Sequence, residues 1–297
     1  GFVIGPLLNS DGRLSDAMTS VSFLLSKTDE EANNWVQHLL KQNQVRKQIQ
    51  RQLTEQAMRQ AAQQVSQGSH SVCVFLEEGH SGVHGISASR LKDAFGRPTV
   101  LFSPKLGYPH LMTGSARSIE GFHIREAFER AIQRIPQGVI GFGGHAGAAG
   151  ITLEKSIFGD FQQAFEEVCR EQLLADDLGP VIWSDGVLPE EYWNLSFFYE
   201  LESALHPFGR GFDAPIFETE ASILQWQKVG DGTHLKLVVK LDSGLRYSAI
   251  WFQALKHADA PVLLEEGGRV RLLFRLMANV FRNEENLDLQ VVHLLAT

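Results

Sequence analysis

The sequence predicts a long helix, then an α/β domain, then an all-β barrel. Three observations support this order. Apolar residues recur at every fourth position from Val45 to Val65, a spacing that is typical of a helix. Strand-like and helical runs alternate over about residues 70–175, which indicates an α/β domain. From residue 218 onward the pattern is that of strands, with apolar and polar residues in alternation.

Composition limits the class of protein. The chain has 297 residues, a formal net charge of −8 and 43% hydrophobic residues. This length predicts two domains with sizeable cores, and the acidic balance excludes a uniformly basic nucleic-acid wrapper. The two cysteines exclude a disulfide framework and a cysteine-rich zinc site, and Cys73, in an apolar run, is expected to be buried and inert. We expect a cytoplasmic protein without membrane association, because neither a membrane-spanning run nor a signal peptide is visible.

The long helix is predicted over residues 28–68. Thr28 is its expected N-cap, Glu31 completes a capping box, and Gly68 ends it. About forty residues at about 1.5 Å each give roughly 60 Å, a length that usually connects two bodies. The alternative is a coiled-coil dimer arm, although the fourfold spacing drifts away from a heptad seam.

The α/β region contains a pattern that is typical of an anion site. A strand at 71–77 is followed by a glycine-rich loop at 79–85 and a helix predicted over Ile86–Phe95, with Ser89 and Arg90 on its first turn. Such a loop and helix start direct free N–H groups to one point. The Gly-Lys-Ser/Thr ending of a phosphate-binding P-loop is missing.

A short polar strand at 112–118 carries Ser115 and Arg117, and a helix is expected over His123–Ile135. Residues 141–150 then hold eight glycines and alanines, and His145 is their only polar side chain. Two interpretations of this stretch are open on its residues alone. It forms either a tightly packed strand and turn or a small-residue cradle in which His145 donates to an anion.

After a helix at 158–174, residues 179–217 read as a connector. We expect a strand at Pro180–Trp183 and a helix around Tyr192–Leu205. Five strands follow, at 218–227, 233–241, 244–252, 268–277 and 286–295, with a short helix near 255–264. Five strands with that insertion predict an OB-fold barrel.

The barrel strands place basic side chains on their predicted outer faces: Lys236, Lys240, Arg271 and Arg275. Four aromatic residues, Trp226, Tyr247, Trp251 and Phe281, are candidates for stacking on bases. OB-folds hold single strands through basic grooves with aromatic platforms. The alternative is that these charges merely solvate the barrel.

Five segments in this order resemble the RecJ family of single-strand-specific exonucleases, in the DHH phosphoesterase superfamily. They are Asn9–Arg13, Gly85–Arg90, Gly114–Ser118, Gly143–Ala146 with Ala149–Gly150, and Pro207–Phe217. The resemblance covers nearly the whole chain. It departs from the family pattern at Leu7, which replaces an arginine, and at Ser10 and Asp11, which replace two alanines. Asp11 puts a negative charge beside Arg13, which we expect to weaken one phosphate contact.

The resemblance implies a domain order. Residues 1–27 are the end of a DHH catalytic domain, 28–68 the connecting helix, 69–176 the DHH-associated α/β domain, 177–217 a connector and 218–297 the OB-fold. It implies the C-terminal part of a 5′→3′ single-stranded-DNA exonuclease of DNA repair and recombination. Mn²⁺ or Mg²⁺ and their ligands belong to the domain upstream, and the present chain is expected to hold no metal and to be inactive alone.

The resemblance also implies roles for residues. The groups expected to contact substrate phosphates are Arg13, Ser89, Arg90, Ser115, Arg117, Gly143, Gly144 and His145. Lys236, Lys240, Arg271, Arg275 and Trp251 are expected to hold single-stranded DNA on the barrel. The expected protein partners of a monomeric parent are a single-strand-binding protein or a helicase. The alternatives are a phosphodiesterase of short oligonucleotides or cyclic dinucleotides, and a non-catalytic replication or repair scaffold.

Overall fold

A computed structural model describes residues 4–135, 137–209, 211–256 and 267–296. The chain forms two compact units, Gly1–Val181 and Ile182–Thr297. Most of the short helix predicted near 255–264 lies outside the described residues. Its first two residues end a 3₁₀ turn at Ala254–Lys256. Within the described residues, no helix combines the length and the apolar character needed to cross a membrane.

The first unit begins with three short helices, α1 (Ile4–Leu8), α2 (Asp11–Leu14) and α3 (Met18–Leu24). The predicted long helix follows as α4 (Asp29–Ser66), with 38 residues. The hydroxyl of Thr28 caps it by accepting the backbone N–H of Glu31 at 3.2 Å. The Glu31 carboxylate in turn accepts the backbone N–H of Lys27 at 3.1 Å, one residue earlier than in a standard capping box.

The buried face of α4 is only partly the predicted apolar row. Its buried members are Leu39, Arg46, Gln50, Leu53, Thr54, Ala57 and Ala61. Val45, which the fourfold pattern places in the row, is 41% exposed. The C-terminal part of the row packs within the chain against an apolar cluster from the first two strands and the helix between them, whereas a coiled-coil arm would leave it for a second chain. The buried face also contains Arg46, Gln50 and Thr54, which are polar and do not belong to that row.

The α/β part is a five-stranded sheet in the order β1-β2-β3-β5-β4. Its strands are β1 (Val72–Phe75), β2 (Thr99–Lys105), β3 (Tyr108–Arg117), β4 (Val139–His145) and β5 (Ala148–Glu154). Strands β1 and β2 are parallel, and the other neighbours are antiparallel. The sheet and helices α5 (Ser81–Phe95), α6 (Ile124–Ile132) and α7 (Phe158–Gln172) confirm the predicted α/β domain.

Two apolar clusters hold this sheet. One joins β2 and β3 to α6 and α7 through a group of stacked and edge-on rings, among them Phe102, Phe128 and Phe161. The other joins β1 and β2 to α4 and α5. Cys73 and Cys169 are both buried in the first cluster, and burial raises the pKa of both thiols far above its ordinary value, with a further contribution from Glu166. The expected burial of Cys73 is therefore confirmed.

Helix α5 begins earlier than the sequence predicts. It starts at Ser81 and not at Ile86, because the His80 ring accepts the backbone N–H of Gly82 at 3.2 Å and caps the first turn. The predicted glycine loop is therefore helical from Ser81 onward. Ser89 and Arg90 lie well inside the helix, and their predicted place on its first turn is wrong.

The second unit contains helix α8 (Leu195–Leu205) and five barrel strands. The strands are β6 (Phe217–Val229), β7 (His234–Lys240), β8 (Arg246–Trp251), β9 (Arg269–Phe281) and β10 (Glu284–Ala296). They close in the order β10-β8-β7-β6-β9, which confirms the predicted five-stranded barrel. The predicted strand at Pro180–Trp183 is not formed. Its apolar side chains are exposed, with Trp183 at 77%, and no neighbouring strand pairs with it in the described residues.

Candidate nucleic-acid interface

Arg46 on α4 is a buried cation that no carboxylate of the described residues balances. It is 7% exposed, and its guanidinium donates only to neutral amides, to Asn43 at 3.0 Å and to Gln50 at 3.3 Å. Burial lowers the pKa of Arg46, and the nearby positive charges of Arg13 and Arg90 lower it further. An arginine that is both buried and close to two other arginines favours an anion beside it.

Arg117, at the end of β3, belongs to the same group. Burial lowers the pKa of Arg117, and the charge of Arg13 lowers it further. Its guanidinium donates to the Ala116 carbonyl at 2.7 Å and lies against the backbone of Gly85 on α5. Arg13 reaches the same helix and donates to the Gly82 carbonyl at 3.0 Å.

We call these four residues, Arg13, Arg46, Arg90 and Arg117, the arginine cluster. Within the described ranges, none of them forms an ion pair with a carboxylate, whereas most other arginines of the first unit do. They come from four different elements, α2, α4, α5 and β3. Arginine donates in a planar fork that suits phosphate oxygens, so the cluster is suited to a phosphate or a phosphodiester.

Beside the cluster, the sheet offers a surface of small residues. The strand registers align two rows across β3, β5 and β4, namely Arg117–Ala148–His145 and Ser115–Gly150–Gly143. Directly paired residues point to the same face of a sheet, so Arg117, Ser115 and His145 share one face. Gly143, Gly150 and His145 are exposed. A ligand backbone can therefore approach the peptide groups of this face closely.

His145 is oriented by its own turn. Its Nδ1 accepts the backbone N–H of Gly147 at 3.2 Å, so a neutral ring carries its proton on Nε2. His145 is exposed, so that N–H is accessible from solvent. The preceding Gly144 has φ +148°, and a side chain there would collide with the Ala148 carbonyl, so only glycine allows this hairpin.

Ser89 is less available than predicted. Its hydroxyl donates to the Gly85 carbonyl of its own helix at 3.0 Å, and it is half-buried. Because the Arg117 guanidinium also lies against Gly85, the structure brings Ser89 and Arg117 to the same part of α5.

Arg46 is a member of the cluster that the sequence motifs do not predict. The sequence feature that could have identified Arg46 is its neighbours on α4: Asn43 and Gln50 lie one turn away on either side and are uncharged. A solvated helical arginine more often has an acidic residue at that spacing, as Arg51 has in Glu55.

On the barrel, two of the five predicted residues are not available as predicted. Trp251 is 1% exposed and lies in the barrel core, so it presents no free ring face and the stacking role predicted for it is wrong. Its position on β8 points inward, in register with Leu235. Arg271 is held by Glu218 through two bonds, Nε at 3.0 Å and Nη2 at 2.7 Å.

The other three remain candidates. Lys236 and Lys240 are exposed on β7. Arg275 is half-buried, and its Nε has no hydrogen-bond partner among the described residues. Lys240 pairs in register with Arg246 of β8, which adds a second positive charge to that edge.

The barrel has a cleft of about 450 Å³ between β7–β8 and the β9–β10 hairpin. Its lining combines cations, aromatic rings and amides, among them Lys236, Arg246, Tyr247, Phe281, Asn279 and Asn286. Phe281 is 63% exposed, and the Arg282 guanidinium lies 5.3 Å from its ring centroid. Basic and aromatic groups in one groove are the combination by which OB-folds hold single strands.

Comparison with known proteins agrees with this architecture. Residues 68–171 match the model of the DHHA1 domain, and residues 184–293 match that of the RecJ OB domain. The chain is therefore a DHHA1 α/β domain followed by an OB barrel. This pair of domains is similar to the corresponding part of the RecJ family.

Curated relatives carry the name single-stranded-DNA-specific exonuclease RecJ. The Haemophilus influenzae relative is 32% identical over 98% of this chain, and the Salmonella typhimurium relative is 35% identical over 97%. This chain spans about half the length of each, 50% in both cases. A crystal structure of Thermus thermophilus RecJ in complex with Mn²⁺ is 25% identical, with a TM-score of 0.77, and the match covers 100% of this chain and 41% of that one.

The solved structures of these relatives contain metal ions. Thermus thermophilus RecJ has been solved with Mg²⁺ and with Mn²⁺. Over the described ranges, no group of three or more His, Cys, Asp or Glu side chains could hold a metal ion. The described residues therefore do not fit a resident metal.

Proposed function

We propose that this chain is the substrate-binding part of a RecJ-type exonuclease and that it binds the phosphates of single-stranded DNA. The observation that carries the proposal is the arginine cluster, and above all the buried Arg46, which is held by amides and faces Arg13 and Arg90. Ser115 and His145 donate from the neighbouring sheet face, and its glycines let the DNA backbone come close.

The barrel cleft supports the second half of this proposal. Phosphates would lie against Lys236 and Arg246, and bases would stack on Phe281 and Tyr247. Such binding tolerates many sequences, because every base has a stacking face. The closed barrel favours this function over a phosphodiesterase of cyclic dinucleotides, whose relatives usually lack an OB-fold.

The activity of the whole protein is part of the proposal. We infer 5′→3′ hydrolysis of single-stranded DNA during repair and recombination, with Mn²⁺ or Mg²⁺ held by a domain outside this chain. The support is the name that the curated relatives carry and the order of the two matched domains. A cytoplasmic location, a monomeric state and partnership with a single-strand-binding protein or a helicase rest on the resemblance alone.

Binding of a fluorescent oligodeoxythymidylate by the 297-residue chain, followed by anisotropy at several salt concentrations, tests the proposal. Arg46→Gln should weaken binding and reduce the slope of log affinity against log salt by about 0.7, the value for one phosphate contact on a single strand. Arg59→Gln is the matched control, since Arg59 is exposed on the same helix and loses the same charge.

Binding of the oligonucleotide by the barrel would hide a small loss of affinity at the arginine cluster. The measurement is therefore repeated in a Lys236→Ala background, in which the barrel binds less tightly. If neither Arg46→Gln nor Arg117→Ala changes the affinity or the salt slope in that background, phosphate binding by the arginine cluster is refuted. An affinity that does not depend on salt would refute the electrostatic basis of the whole interface.

A further inference from the structure

Asp11 stands two residues before Arg13, yet its carboxylate is engaged elsewhere. It is 1% exposed. Its Oδ1 accepts the Ser15 hydroxyl at 2.5 Å, and its Oδ2 lies 3.0 Å from Nε2 of His38 on α4. Asp11 therefore closes the end of α2 through Ser15 and joins α2 to α4 through His38.

Helix α2 needs such a tie. It has four residues, and a helix that short has almost no stability of its own. Within the described part of the chain, the other hydrogen bond that ties this segment to α4 comes from the preceding Ser10, which is fully buried and donates to the Leu39 carbonyl at 3.4 Å. At its other side α2 carries Arg13, whose guanidinium donates to Gly82 of α5 at 3.0 Å and whose carbonyl packs against the same glycine.

We propose that Asp11 and His38 form a positioning pair, which fixes α2 on α4 so that the guanidinium of Arg13 stays in the arginine cluster and meets the phosphate. The pair acts through Arg13 and does not touch the ligand. This inference rests on the proposed function, because it requires that Arg13 binds phosphate.

Positioning and simple charge repulsion predict opposite changes in DNA affinity when the Asp11 carboxylate is removed. A carboxylate close to a phosphate site repels the ligand, so removing it should strengthen binding if Asp11 acts only as a charge. If Asp11 holds Arg13 in place, removing it should weaken binding. The two effects of one substitution are therefore opposite in direction.

The test measures binding of the same oligodeoxythymidylate by the full chain. Asp11→Ala should weaken binding about tenfold, the loss expected for one well-placed charge-assisted hydrogen bond. Asp11→Asn should restore most of the affinity, because an amide can accept from Ser15 and donate to a neutral His38 ring. Asp16→Asn is the control for charge, since Asp16 is exposed just after α2 and its amide can still accept the backbone N–H of Met18.

A double-mutant cycle separates positioning from general stability. In an Arg13→Ala background, Asp11→Ala should cause no further loss, since the group that it positions is already gone. His38→Ala should reproduce the loss and should not add to that of Asp11→Ala. The His38 side chain is 43% exposed, so its truncation also serves if Asp11→Ala proves too unstable to purify.

Two outcomes overturn the positioning role. One is tighter binding by Asp11→Ala, and the other is an equal loss from Asp11→Ala whether Arg13 is present or has been replaced by alanine. If Arg13→Ala itself leaves the affinity unchanged, the role of Asp11 falls with that of Arg13. The phosphate site as a whole then still stands or falls on Arg46→Gln and Arg117→Ala.

Discussion

The guanidinium of Arg117 occupies the space that a methyl group on Gly85 would need. Gly85 lies in the interior of α5, where glycine weakens a helix. Gly82, one turn earlier, stands in the same relation to the carbonyl of Arg13. Both glycines therefore give up helix stability and let two arginines approach the helix backbone.

Gly85→Ala separates stability from binding. The added methyl should displace the Arg117 guanidinium and weaken oligodeoxythymidylate binding several-fold. The same change should leave the free energy of unfolding unchanged or raise it by up to about 1 kcal/mol, because alanine is the better helix former. Thermal unfolding and anisotropy on one preparation check both effects. Arg117→Ala should abolish the effect of Gly85→Ala on binding, and a loss that persists without Arg117 would contradict this explanation.

The buried His84 should make stability depend on pH. It is 1% exposed, and neither ring nitrogen has a hydrogen-bond partner within the described residues. Burial, and secondarily the charge of His80, lower the pKa of His84 from 6.5 to about 4. The unfolded chain therefore binds this proton at a higher pH than the folded chain does. The free energy of unfolding should fall by about 3 kcal/mol as the pH decreases from about 6.5 to about 4, and this contribution should level off below that.

Urea unfolding at a series of pH values measures this dependence. His84→Leu should flatten the curve between about pH 4 and 6.5, whatever its effect on stability at neutral pH. His110→Leu is the control, because His110 is exposed and should leave the curve unchanged. An equal pH dependence in the wild type and in His84→Leu would show that other groups cause it.

Two aromatic residues of the barrel should have opposite phenotypes. Trp251→Ala removes a core side chain and should destabilise the barrel by about 3–5 kcal/mol. Phe281→Ala should leave stability unchanged and weaken single-strand binding by about 1–3 kcal/mol, the usual value of one stacked base. Val280→Ala is the control for Phe281, since Val280 is the adjacent residue and is 66% exposed. Equal effects of the two hairpin variants on binding would contradict stacking on Phe281.

The chain on its own should not cleave DNA. An end-labelled single strand incubated with the chain and either Mg²⁺ or Mn²⁺ should stay intact, because the described residues include no metal-binding cluster. If cleavage persists after further purification and is lost in Arg117→Ala, the chain alone is a nuclease and this prediction is wrong.

The parts of the fold that the sequence predicts are those with a regular period. The fourfold apolar spacing predicts α4, and the alternation of apolar and polar residues around Lys236 predicts β7 with its two faces. The predicted start of α5 is wrong because Gly82 and Gly85 signal a loop, whereas their tertiary neighbours Arg13 and Arg117 are what require glycine there. A single sequence does not show such neighbours.

The candidate site is predictable only where its residues share a local motif. The segments around Arg13, Arg117 and His145 each stand in a recognisable pattern. Arg46 stands in a helix rich in Gln, Arg and Lys, and only packing shows that it is buried. Likewise Trp251 is a candidate for stacking in the sequence, but barrel closure decides that its side chain points inward.

Because both thiols of the chain are buried in the first unit, their reactivity measures how often that unit opens. Cys73 and Cys169 are the only cysteines of the chain, and both lie in the core of the α/β part. A thiol-reactive dye added to the native protein should therefore label it only when this unit opens, at a rate set by the opening equilibrium. A cysteine introduced at an exposed position such as Val280 would be modified at once, so the barrel can carry a fluorophore without removal of the native thiols.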